Sequence, residues 1–149
     1  MDKIRVTKEF SFEMAHALWN YDGACRNIHG HSYRLFVTLV GKPIANSQDP
    51  KFGMVIDFKD LKKMVKKPIV DFFDHSLVVY KEAEGEILVS IRQMYEKVHV
   101  FDFQPTCENL VRYIAKSIQS GLTPDIQLQA VKLYETANSY AEWHLEDNL

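Results

Sequence analysis

The stretch Ile4-Arg5-Val6-Thr7-Lys8-Glu9-Phe10-Ser11-Phe12-Glu13-Met14-Ala15-His16 partly alternates between apolar and polar positions. Phe10, Phe12 and Met14 share one face with His16, while Ser11 and Glu13 point the other way. A period of two reads as a half-buried strand. Residues 31–41, His31-Ser32-Tyr33-Arg34-Leu35-Phe36-Val37-Thr38-Leu39-Val40-Gly41, are rich in aromatic and β-branched side chains and read as a second strand. Between the two lie a turn-rich segment, Asn20-Tyr21-Asp22-Gly23-Ala24, and the run Cys25-Arg26-Asn27-Ile28-His29-Gly30-His31. If the strands pair as an antiparallel hairpin, His16 falls beside His29 and His31.

That juxtaposition is the sharpest chemical signal in the chain. His29 and His31 are two apart at a strand start, so both side chains leave the same face. Three neutral imidazole nitrogens suit a zinc ion with an open fourth position, which is the mark of a catalytic rather than a structural centre. The competing reading is three ordinary surface or core histidines. Gly30 removes a side chain between the pair and lets the backbone bend. Cys25 stands four residues before His29 and has two readings on sequence alone. It closes the site as a fourth ligand, or it serves as a nucleophile or base whose thiolate the nearby positive charge favours.

Outward from this centre, residues 42–53 carry Pro43, Asn46, Ser47, Asp49, Pro50 and Gly53 and read as a loop. Asp57 is placed to cap a helix in which Phe58, Leu61, Met64 and Val65 recur at helical spacing, with Pro68 ending or kinking it. Leu88, Ile91, Met94 and Tyr95 suggest a short helix within 80–97, and residues 98–103 read as a third strand. Thr106 suits the N-cap of a strong helix with the stripe Leu110, Ile114, Ile118 and with Gly121 at its end. Residues 126–136 form a last strand. The order implies an α+β domain, with helices covering one sheet face and an aromatic-bearing opposite face that suggests subunit contacts.

Composition sets the outer bounds. A chain of 149 residues fits one domain and buries enough surface to fold without a disulfide or metal staple. A net charge of −2 gives no basic footprint, so no nucleic-acid partner is expected. The locally basic run from Lys59 to Lys67 reads as a solvated helix face. Two cysteines make no disulfide framework, no signal peptide is apparent, and no apolar run approaches membrane-spanning length. The expectation is a cytoplasmic protein with free thiols and no membrane partner.

Two further constellations carry weaker signals. Asp74-His75 places an acid beside a histidine that it can tune for proton transfer. Glu135, near the end of an apolar strand, can accept two parallel hydrogen bonds from a planar guanidine-like edge. Cys107, His99 and His144 read as packing or exposed residues.

These motifs occur in one order: Cys-x-x-x-His-Gly-His after an earlier strand histidine, Gly53-Met54-Val55-Ile56-Asp57-Phe58, Asp74-His75, Pro105-Thr106-x-Glu108-Asn109-Leu110 and Tyr134-Glu135-Thr136. The series, from about residue 4 to 137, resembles the 6-pyruvoyltetrahydropterin and 6-carboxytetrahydropterin synthase family. The resemblance implies the tunnelling fold: an antiparallel four-stranded sheet with two helices on one face, subunits assembling into a homohexamer around a barrel, and active sites at subunit interfaces. It implies zinc on His16, His29 and His31, a catalytic thiol at Cys25, an acid–histidine pair at Asp74 and His75, and a pterin-anchoring, relay-linked acid at Glu135. Thr106 and Glu108 would lie near the pterin, with helix capping as the plainer role.

The three-residue spacer between Cys25 and the His-Gly-His resembles the bacterial 6-carboxytetrahydropterin synthase branch, which acts in queuosine and deazapurine biosynthesis. The implied reaction converts 7,8-dihydroneopterin triphosphate to 6-carboxy-5,6,7,8-tetrahydropterin, acetaldehyde and triphosphate. The alternatives are a 6-pyruvoyltetrahydropterin synthase, a non-catalytic pterin- or purine-binding protein, and a structural zinc module. Two departures stand out. Leu77-Val78-Val79-Tyr80 replaces the family's Leu-Asn after the Asp-His pair, and 80–97 reads as an insertion into a single domain spanning 1–149.

Overall fold

The computed structural model describes residues 1–83 and 85–149. Its strands are β1 (Ile4–His16), β2 (His29–Gly41), β3 (Ser76–Tyr80), β4 (Val98–Phe101), β5 (Ile126–Thr136) and β6 (Ser139–His144). Its helices are α1 (Phe58–Val65), α2 (Asp71–Phe73), α3 (Glu86–Met94) and α4 (Cys107–Gln119). The α+β class holds, but the sheet is not the expected antiparallel four. It has six strands in the order β4-β3-β1-β2-β5-β6. β1 with β2, β2 with β5 and β5 with β6 pair antiparallel, whereas β3 joins β1, and β4 joins β3, in parallel.

β4 lies within the strand expected over 98–103, and the added strands are β3 and β6. Parallel neighbours need a crossover rather than a tight hairpin, and 81–97, with α3 inside it, is the crossover between β3 and β4. The helix expected there is present. Glu84, within the same stretch, lies outside the described residues. β3 is five residues long and nearly continuous in apolar side chains, a pattern that periodicity cannot assign. β6, Ser139-Tyr140-Ala141-Glu142-Trp143-His144, pairs with β5 through a tight reversal.

The core follows from the alternation. Phe12 and Met14 of β1, Tyr33, Leu35, Val37 and Leu39 of β2, and Val131 and Leu133 of β5 are buried on one face. Leu61 and Val65 of α1, Ile69, Phe73 of α2, and Leu110, Ile114 and Ile118 of α4 join the same core. α1 begins where Asp57 accepts the Lys59 N–H at 2.8 Å and pairs with Lys51. Pro68 does not end the run. It sits in a widened turn, Lys66–Val70, that carries the backbone on to α2. Proline brings no N–H, and the looser π-type turn accommodates it.

Thr106 caps α4 by accepting the Asn109 N–H at 3.2 Å. Replacing it with alanine should cost about 1 kcal/mol. Thermal unfolding should then shift down by about 2–4 °C at this chain length. An unchanged midpoint would show that the cap contributes nothing.

Candidate active site

The alternation that builds the core also delivers the histidines. His16 continues the buried face of Phe12 and Met14, and His29 and His31 continue that of Tyr33 and Leu35. The register pairs Met14 with His31 and His16 with His29, so the predicted hairpin contact is present. Glu135 follows Val131 and Leu133 on the same face of β5. Three neighbouring strands therefore bring four candidate site residues together at one end of the core.

Among the described residues, His16, His29 and His31 offer ligand atoms that all lie within 4.8 Å of one another. His16 Nδ1 lies 2.8 Å from the Pro105 carbonyl, and His29 Nδ1 lies 2.7 Å from the Asn27 carbonyl. A carbonyl only accepts, so both Nδ1 atoms carry the proton and both Nε2 atoms present lone pairs. Those two Nε2 atoms are 3.0 Å apart. Two facing lone pairs repel unless a cation or proton sits between them. The cluster thus has the donor set, the tautomers and the convergence to hold a metal ion.

The surroundings agree with this chemistry. His16 is buried to 1% exposure, and burial pushes the His31 ring toward its neutral form, against the opposing pull of Glu135. Glu135 Oε1 lies 3.3 Å from His16 Nε2 and 3.4 Å from His31 Nε2. When His16 Nε2 carries a proton, its hydrogen bond, ahead of the burial that works the other way, holds the carboxyl below the usual carboxylate range, and a cation held at Nε2 acts in the same direction. Beneath the cluster, the Tyr33 hydroxyl is buried and, among the described residues, finds no partner at hydrogen-bond geometry. Burial first, then the Glu135 charge, raises its pKa and keeps it neutral.

Cys25 lies in a short 3-10 turn, Ala24–Arg26, half-buried and free. Its carbonyl accepts the Leu18 N–H at 2.9 Å, which ties the loop to the end of β1. Its thiol is not a member of the histidine group. Cys107 is different. It is buried against β5, where its Sγ lies 3.2 Å from the Leu133 carbonyl, and burial pushes its thiol up to about 12.

Asp74 and His75 form a corner after α2. Asp74 Oδ1 accepts the Glu13 N–H at 2.8 Å, and Oδ2 lies 2.8 Å from His75 Nδ1. The Glu13 N–H, followed by the His75 contact, holds the Asp74 carboxyl below its ordinary range. His75 adopts φ 60° and exposes 77% of its side chain. His75 and His31 line one cavity of about 920 Å³, together with Ile91, Met94, Tyr95 and Lys97.

Neither Cys25 nor Glu135 lines that cavity within a single chain. Thr106 caps α4, and Glu108 is exposed on its first turn, also away from the cavity. Of the residues bearing on the site, sequence reading missed Tyr33, the carbonyls of Asn27 and Pro105, and Lys97. Backbone acceptors leave no mark on side-chain identity, and Lys97 sits in a stretch with no recognisable motif.

Three histidines that could hold a metal ion, His16 buried and His29 and His31 half-buried, stand at one end of an α+β core, and that is the scaffold of an enzyme. The family model described as 6-pyruvoyl tetrahydropterin synthase matches residues 5–146, and the chain belongs to that family. A relative from Haemophilus influenzae named 6-carboxy-5,6,7,8-tetrahydropterin synthase is 36% identical over 141 residues, covering 93% of this chain and 97% of its own. One from Aquifex aeolicus with the same name is 30% identical over 167 residues, covering 97% and 99%. The structure of Caenorhabditis elegans 6-pyruvoyl tetrahydropterin synthase superposes with TM-score 0.69 at 25% identity, covering 97% of this chain and 96% of that one. An uncharacterized protein from Wolinella succinogenes shares the fold with TM-score 0.78 at 20% identity, covering 97% and 99%.

Proposed function

We propose that this chain is a 6-carboxytetrahydropterin synthase, a lyase that converts 7,8-dihydroneopterin triphosphate to 6-carboxy-5,6,7,8-tetrahydropterin, acetaldehyde and triphosphate. The observation that carries the reading is the convergence of His16, His29 and His31, with two Nδ1 atoms fixed by carbonyls, in a chain 36% identical to a relative of that name.

His16, His29 and His31 would hold Zn²⁺, which would supply Lewis acidity toward the substrate side chain. Cys25 would take a proton from that side chain. His75 keeps its Nδ1 proton on Asp74 and so presents Nε2 for a second transfer. Glu135, ionised through neutrality, accepts a pair of hydrogen bonds from the pterin edge.

Several features bear on the finer points of this reading. Opposite β2, β1 pairs with β3 only over Met14–His16, so among the described residues the edge from Ile4 to Glu13 is open. β6 forms the other border of the sheet. Open edges invite pairing with a further copy, which supports self-association; a homohexamer with sites shared between subunits is the assembly that the family resemblance implies. No described helix is long and apolar enough to cross a membrane. A cytoplasmic role in queuosine biosynthesis, in a single domain enlarged at 80–97, completes the reading.

Incubation of the zinc-loaded protein with 7,8-dihydroneopterin triphosphate should release acetaldehyde and 6-carboxytetrahydropterin, seen by mass analysis. Triphosphate release with all carbons retained would instead assign the 6-pyruvoyl reaction, and no turnover would leave a binding protein.

A further inference from the structure

We propose that Lys97 is a positioning residue for the Asp74–His75 pair, clamping the peptide bond that joins them; this rests on the reading of that pair as a proton-transfer unit. The argument begins with strain. His75 sits at φ 60°, a region that side-chain-bearing residues rarely adopt and that persists only where the surroundings impose it. The imposing contacts fall on both ends of one peptide unit. The His75 N–H donates to the Glu13 carbonyl at 2.6 Å. The Asp74 carbonyl, the other end of the same unit, accepts from Lys97 Nζ at 2.7 Å. With both ends held, the peptide plane cannot rotate, and the directions in which Asp74 and His75 leave the backbone are set together.

Lys97 is itself anchored. Its carbonyl accepts the Leu77 N–H at 3.0 Å, and the next residue, Val98, pairs with Leu77 in the β3–β4 ladder. Its ammonium also donates to the Asp71 carbonyl at 2.6 Å, at the C-terminal end of the helical run, where a cation is electrostatically favoured. It lines the same cavity as His75 and His31. The 81–97 crossover, which otherwise looks like ornament, thus delivers one charged group to the back of the corner.

The test uses the full-length, zinc-loaded protein as wild type, Lys97→Met and Lys97→Arg. Lys97→Met should lower kcat by about 10- to 100-fold, the effect of a small misplacement of a reacting group. KM, zinc content and the unfolding midpoint should stay at wild-type values. Lys97→Arg, which keeps donors for both carbonyls, should restore most of kcat. A second readout is independent of turnover. Ring ¹⁵N shifts in mildly alkaline buffer should place the His75 proton on Nδ1 in wild type and on a mixture of both nitrogens in Lys97→Met.

Unchanged kcat in Lys97→Met, unchanged His75 shifts, or a loss matched by a lower midpoint and not rescued by arginine would each overturn the proposal. If the wild type itself fails to convert the substrate, the functional reading fails. The ring shifts then decide the role of Lys97 alone.

Discussion

Cys25→Ala should reduce turnover of dihydroneopterin triphosphate by about 10²–10⁴-fold, the range of a lost acid–base group. Zinc should remain bound at the wild-type ratio. The thiol stands in the turn between β1 and β2, outside the group of three ring nitrogens, so no metal ligand is removed. The main-chain bond from the Leu18 N–H to the Cys25 carbonyl survives the substitution, so the loop keeps its path. Steady-state kinetics alongside metal analysis reads both quantities on one sample. Zinc leaving with the thiol would make Cys25 a ligand and the centre a closed, structural one. Unchanged turnover would remove it from the chemistry altogether.

His29→Ala should abolish activity by a different route. It removes one of three converging ligands, so zinc affinity should fall by more than the about 10- to 100-fold typical of losing only a group that orients a ligand. Competition titration with a chromophoric chelator measures this directly, and His144→Gln is the matched control. His144 lies on β6, near Glu142 and away from the centre. Equal zinc affinity in wild type and His29→Ala would refute the three-histidine assignment. Acid should also displace the metal, because protons compete for the same lone pairs. Burial lowers the His31 pKa, so its ring stays neutral, and competent to ligate, further into the acid range than an exposed imidazole.

Much of this site was legible from side-chain pattern, and what was missed has a physical cause. The alternation in β1 and β2 places Phe12, Met14 and Tyr33 in the core and His16, His29 and His31 together, because a two-residue period fixes facing once pairing is known. Helix α4 was readable from Thr106 to Gly121, since its cap and stripe are local signals. The sheet was legible only in part. β4 lies within the strand expected over 98–103, whereas β3 and β6 were missed, and the parallel pairing of β3 with β1 and β4 is set by a distant crossover rather than by a turn between neighbours. The order of strands therefore escaped a reading that works outward from hairpins. The same limit hid Lys97, whose partners are carbonyls of Asp71 and Asp74. Glu135 was identified for its strand-end position, whereas its contact with His16 and His31 emerges only when β2 and β5 are aligned.

The pairing of His16 with His29 has one more consequence. It belongs to the same ladder that sets Phe12 opposite Tyr33. A slip of one residue in β1 would turn Phe12 and Met14 out to water and carry His16 away with them. Core and histidine group thus share a single error check. A chain that has buried its apolar face correctly has, by that act, brought the three imidazoles together, and one that has mispaired cannot gather all three. Quality control of the fold and of the candidate site are the same event.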